Sequence, residues 1–143
     1  MLVVDDALLL ALLAETVTED LQIAVNNSEL FSTGSWYWRL SRALHDRAST
    51  GVLSRALDDL TPTQHARAIA SVDRLPHEVG LLGLRELVPV MTALDTSRRL
   101  NLLTAEAVAV AVVLDATIVV TTESALLTET CTRIGIDLRR IAR

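Results

Sequence analysis

The chain contains no lysine, and all thirteen of its cations are arginine. Fold physics does not forbid surface lysine, so this absence reads as genome composition before it reads as function. A single cysteine, Cys131, excludes an intrachain disulfide and suits a reducing cytosol, where it would be a spectator thiol. Aromatic residues make up only 3% of the chain, which leaves the core to Leu, Val and Ala. There is no G-x-G-x-x-G and no P-loop, so the usual nucleotide-binding signals are missing, and no G-x-S-x-G elbow supports a hydrolase. His45, His65 and His77 are not at metal spacings and no cysteine pair assists them, which argues against a zinc site. No apolar run reaches the roughly 20 residues that cross a bilayer, since Ala107 to Leu114 is too short. The opening MLVVDDALLLALLAE lacks a positive n-region and is interrupted by Asp5 and Asp6, so it is expected to be neither signal peptide nor anchor. A soluble, cytoplasmic protein without a membrane partner is the expectation.

What is present is a chain of 143 residues, the size of one ordinary domain spanning 1–143. At that length folding should bury about 70% of the surface the unfolded chain exposes. Half the residues are hydrophobic and 22% are charged, which excludes a disordered chain. The formal charge of -5 repels polyanions as a whole, so any nucleic-acid contact must be local.

Leu2-Val3-Val4 reads as a short strand, and Ala7 to Ala14 as a helix. Leu21 to Val25 fits either a brief strand or a helix end, before a turn at Asn26-Asn27-Ser28. Thr33 or Ser35 caps a helix in which Trp36, Leu40, Ala43 and Leu44 share one face, ending before Gly51. Val52 to Leu60 is amphipathic, and Thr61-Pro62 opens a helix running to about Asp73. Leu84 to Leu100 has helical spacing that Pro89 should bend or split. Leu103 to Leu114 is apolar on nearly every side, as a central helix would be. Thr117 to Thr121 is a β-branched run of the buried parallel kind, followed by a helix over Ser124 to Arg133, a stop at Gly135 and a last strand over Ile136 to Ile141. This order predicts an α/β fold of three layers, α/β/α, with a central, mainly parallel sheet.

In such a sheet, function gathers at the carboxyl ends of the strands, where Asp5, Asp6, Thr121, Thr122 and Glu123 fall. Asp5, Glu106 and Glu123 admit two readings. Converging, the three would repel one another unless a divalent cation such as Mg²⁺ or Mn²⁺ took their oxygens and activated water for phosphodiester attack. Separate, they are the acids that ordinarily sit at helix starts.

The segments VVDDALLLALL, RLSRAL, LTAEAVAVAVVLDATIVVTTESALL and GIDLRRI, in that order and over nearly the whole chain, resemble the PIN-domain family, above all the VapC-type toxin ribonucleases of bacterial toxin–antitoxin pairs. The resemblance implies an Asp ending the first strand, a Glu within an early helix, an Asp opening the late apolar helix, and a T-x-D after the next strand. Asp5 matches unaltered. Arg39 stands where the family has Glu, Thr104 where it has Asp, with Glu106 two residues on, and Glu123 replaces the last Asp. A guanidinium cannot bind a cation, so Arg39 is expected to replace the metal by pairing with Asp5 or Glu123.

The leading expectation is therefore a PIN-like domain with a degenerate acidic site, its metal-dependent nuclease activity lost or weakened, acting through a dimer or a partner and needing no cofactor. One alternative is an active, divergent endoribonuclease in which Asp5, Glu106 and Glu123, with Asp6, hold Mg²⁺ or Mn²⁺ while Arg39 steers phosphate. The other is a structural interaction module. The resemblance further implies a homodimer and an antitoxin-like protein partner. Trp36-Tyr37-Trp38 holds three of the four aromatic residues. Trp36 belongs to the core face, whereas Tyr37 and Trp38, with Arg42 four residues beyond Trp38, would serve an interface or stack an RNA base. Arg39, Arg42 and Arg47 form one basic stripe, and Arg133, Arg139, Arg140 and Arg143 another, while residues 1–30 carry six acids and no Arg. That asymmetry serves self-association or RNA phosphate binding.

Overall fold

The computed structural model describes residues 1–46, 52–95 and 99–142. Arg47, Gly51, Arg143 and the part of the Leu84–Leu100 stretch at 96–98 lie outside the described residues. Five strands, β1 (Leu2–Val4), β2 (Leu30–Ser32), β3 (Val79–Leu81), β4 (Thr117–Val120) and β5 (Leu138–Arg140), form one sheet in the order β3-β2-β1-β4-β5. Every pairing is parallel, with Val3 opposite Phe31 on one side and Ile118 on the other. The described helices are α1 (Asp6–Leu13), α2 (Glu19–Asn26), α3 (Gly34–His45), α4 (Val52–Asp58), α5 (Pro62–Asp73), α6 (Leu84–Asp95), α7 (Leu102–Leu114) and α8 (Ala125–Ile134).

Alternation along the strands divides the core. Leu2, Val4, Leu30 and Val119 pack on one face with Leu8 and Leu9 of α1, Leu21 of α2, Leu40 of α3 and Ala68 of α5. Val3, Ile118 and Val120 pack on the other with Leu87 of α6, Val108 and Val110 of α7, and Leu127 of α8. The result is the expected three-layer α/β/α arrangement, and each fully buried Leu or Val contributes about 1.5–3 kcal/mol against leaving it in water. Residues Thr104 to Ala111 of α7 are buried without a break, as a helix apolar all round requires.

Local signals set most of the boundaries. Thr33 accepts from Trp36 N at 3.0 Å to start α3. Thr61 and Gln64 form a reciprocal capping box ahead of Pro62 in α5. Asn101 accepts from Thr104 N at 2.9 Å to start α7, and Gly135, at φ 81°, ends α8 in the left-handed conformation. Leu21 to Val25 is helical, within α2. Pro89 does not split α6, which runs through it from Leu84 to Asp95. It sits on the exposed side of the helix, where the N–H it lacks is not needed by the core. Gly80 lies against the flat of the Phe31 ring, which a Cβ at that position would strike. No helix among the described residues is long and apolar enough to cross a membrane.

Candidate functional site

Helices that flank parallel strands run opposite to them, so their N-termini gather at the carboxyl edge of the sheet. At the ends of β1 and β4, a cleft of about 350 Å³ opens between the starts of α1, α7 and α8 and the side of α3. Its walls carry Asp5, Asp6, Arg39, Asn101, Thr104, Thr121, Thr122 and Ser124, with Trp36, Leu53, Leu103, Val120 and Leu127 between them.

Asp5 follows β1 directly and is the N-cap of α1. Its Oδ1 accepts from Leu8 N at 2.9 Å, and its Oδ2 accepts from Thr121 N at 2.7 Å and from the Thr121 hydroxyl at 2.9 Å. Both oxygens are thus spent on joining α1 to the loop after β4. That loop is fixed in turn by Arg140, whose Nε donates to the Thr121 carbonyl at 3.2 Å. Burial raises the Asp5 pKa above its ordinary value against the pull of these hydrogen bonds.

The sequence led us to expect Arg39 to pair with Asp5 or Glu123, but it pairs with Asp6. Its Nε lies 3.3 Å from Asp6 Oδ2. The reason is the cap: once Asp5 turns its carboxylate onto the α1 amides and Thr121, the next residue is the one left facing α3. The Asp6 side chain is 10% exposed and that of Arg39 40%. Asp6 Oδ2 is buried without a hydrogen-bond partner among the described residues. Burial pushes the Asp6 carboxyl up to about 6, the Arg39 charge draws it down, and the neighbouring Asp5 adds to the rise.

Glu106 is elsewhere. Its Oε1 accepts from Gly34 N at 2.9 Å and its Oε2 from Ser35 N at 3.0 Å, so that it clamps the start of α3. Two residues along a helix turn a side chain by about 200°, so with Thr104 on the cleft Glu106 faces away from it. Glu123 is exposed in the loop between β4 and α8, where Thr121, Thr122 and Ser124 line the cleft and Glu123 does not. Of the residues carried over from the family pattern, the structure brings Asp5, Arg39 and Thr104 together and leaves Glu106 and Glu123 apart. Among the described residues no group of three His, Cys, Asp or Glu side chains is placed to hold a metal ion.

Tyr37 and Trp38 divide. The Tyr37 hydroxyl donates to the Val72 carbonyl at 2.6 Å and ties α3 to α5, an internal role that the expected interface or RNA contact did not include. Trp38 is 60% exposed, with the Arg42 guanidinium 5.4 Å above its ring. Sequence reasoning underweighted Asp6, whose signal was its place one residue past the strand-ending cap, and Asn101, a capping residue type just before an apolar helix. Comparison with protein-family models yields no match, and neither does comparison with the curated proteins.

Proposed function

We propose that the chain is a PIN-like domain related to the VapC-type toxin ribonucleases, with its metal-dependent nuclease activity lost or weakened, and that it acts by binding, as a homodimer or with an antitoxin-like protein. The observation that carries this reading is the Arg39–Asp6 contact of 3.3 Å in the cleft at the end of β1. A cation site needs carboxylate oxygens free to turn toward the ion. Here Asp5 has both oxygens engaged, Asp6 faces a guanidinium, and the other two acids do not line the cleft. Positive charge of the kind a metal ion would bring is already present on α3, as the single charge of Arg39.

The parallel order β3-β2-β1-β4-β5, with an aspartate leaving the central strand, supports the family side of the proposal, and a fold alone does not carry an activity. Exposed Trp38 with Arg42 over its ring supports the binding side, since Trp and Arg dominate contact hot spots. The test is calorimetric titration with Mg²⁺ and Mn²⁺, with thermal shift and cleavage of a labelled single-stranded RNA alongside. Absence of saturable heat, stabilisation and cleavage at millimolar metal is the expected result. Saturable metal binding accompanied by cleavage would overturn it.

A further inference from the structure

We infer that the cleft at the ends of β1 and β4 binds a single oxyanion head group, carboxylate or phosphate, carried on a small apolar body, with the Arg39 Nη groups and the Thr104 hydroxyl as its donors. The inference rests on the preceding reading that no divalent ion occupies the cleft, and it adds the chemistry of what does.

Three observations converge. The first is the guanidinium. Its Nε lies 3.3 Å from Asp6, and Nη1 and Nη2 make no hydrogen bond to any described residue although the side chain lines the cleft. Asp6 also lines the cleft, but its Oδ2 is buried and lies 3.3 Å from Nε, so this oxygen orients the guanidinium. A guanidinium held at one edge presents its remaining N–H pair as the planar fork that matches carboxylate or phosphate oxygens.

The second is Thr104. It is 5% exposed and lines the cleft, and its hydroxyl makes no hydrogen bond to any described residue. That hydroxyl opens onto the cleft with its hydrogen-bonding capacity unused by the protein, so it is free to donate to a ligand oxygen there. Thr104 also stands in the first turn of α7, and neither α7 nor α8 has an acid in its first turn. Both helices therefore direct the positive end of their backbone dipoles at the cleft without neutralising it. Asp5, the other acid on this wall, has both oxygens taken up by three donors, which spread its charge without removing it.

The third is the wall. Trp36, Leu53, Leu103 and Leu127 line the same space of about 350 Å³, a size and lining that fit a small molecule with an apolar body and one anchored polar group. A bare ion would leave that apolar wall uncovered.

The experiment is calorimetry on the whole chain with phenyl phosphate, benzoate and inorganic phosphate as separate titrants, and with Mg²⁺ as a fourth. Saturable binding of phenyl phosphate or benzoate at millimolar concentration or below is expected, with inorganic phosphate weaker than phenyl phosphate. Whichever organic anion binds tighter identifies the head group as phosphate or carboxylate. Arg39→Gln and Thr104→Val should each weaken binding by about tenfold or more, as loss of a charge-assisted or buried hydrogen bond does, while Ile23→Ala on exposed α2 leaves it unchanged. Thr104→Val preserves shape and charge, so it decides the matter even where Arg39→Gln fails to fold. Silence of both organic anions toward the wild type, or equal affinity in Thr104→Val, would overturn the inference. Saturable Mg²⁺ binding would instead strike the reading beneath it, and silence of all four titrants would overturn this inference alone.

Discussion

Glu106 holds Gly34: Oε1 of the α7 carboxylate accepts from the Gly34 amide at 2.9 Å, and a Cβ on Gly34 would come within 3.1 Å of that same oxygen. With Ser35 N on Oε2, an acid from the middle of one buried helix neutralises the start of another across the sheet edge. It fixes the rise of α3 and hence the position of Arg39, one and a half turns further on.

Removing this clamp should be costly. Glu106→Ala leaves the Gly34 and Ser35 amides without their acceptors, and a loss of about 2–4 kcal/mol is expected for two charge-assisted bonds in a buried setting. Glu106→Gln keeps one acceptor oxygen and should lose about half as much. Urea unfolding curves of the two variants check the order, and equal stabilities would contradict it.

Asp6 gives the fold an uncommon pH dependence. Its carboxyl titrates at about 6 in the folded chain against an ordinary 3.8, so between those values the folded state binds more protons than the unfolded. Stability therefore falls as pH rises through that window, and the penalty is complete above about 6. A raise of this size corresponds to about 2–3 kcal/mol. Asp6→Asn removes the titration while keeping the shape, so its melting temperature should exceed that of the wild type at pH 7 and approach it near pH 4. A gap that stays constant over this range would refute the assignment.

How far the sequence foretold this can be argued from particular residues. The α/β/α layering was legible because the β-branched run at Thr117 to Thr121 and the all-round apolar stretch after Asn101 leave little choice of structure. Strands β2 and β3 were not, since LFS and VGL are three residues each and too short to show alternation. Asp5 was legible from its place after a strand. Glu106 admitted a converging and a separate reading, and the separate one agrees with the helical geometry that turns it away from Thr104. The Arg39–Asp6 pair was hidden by the question of which of two adjacent aspartates caps α1, which depends on the backbone after β1.

Tyr37 and Trp38 should behave oppositely despite adjoining in sequence. Tyr37→Phe deletes the 2.6 Å bond to the Val72 carbonyl and is expected to destabilise by about 1 kcal/mol. Trp38→Ala removes an exposed ring and should change thermal stability by less than about 0.5 kcal/mol while weakening self-association or partner capture. Thermal unfolding and sedimentation of both variants measure the split.

Cys131 is buried on α8, and burial pushes its thiol up to about 11. At pH 8 it should be almost wholly protonated and react slowly with Ellman's reagent. Labelling in urea should be fast and stoichiometric. Rapid labelling of the native chain would mean that α8 opens readily.

The sheet order bears also on how the chain is made. Leu2 pairs with Leu30 on one side and with Thr117 on the other, so β1, which precedes the other four strands along the sequence, is the middle of the finished sheet. One flank of it can close early with β2, but the other stays bare until β4, much further along the sequence, has been synthesised. The nascent protein therefore carries an open, apolar hydrogen-bonding edge until β4 emerges, the condition in which holding chaperones, or the same edge of a neighbouring chain on a polysome, compete with the native partner.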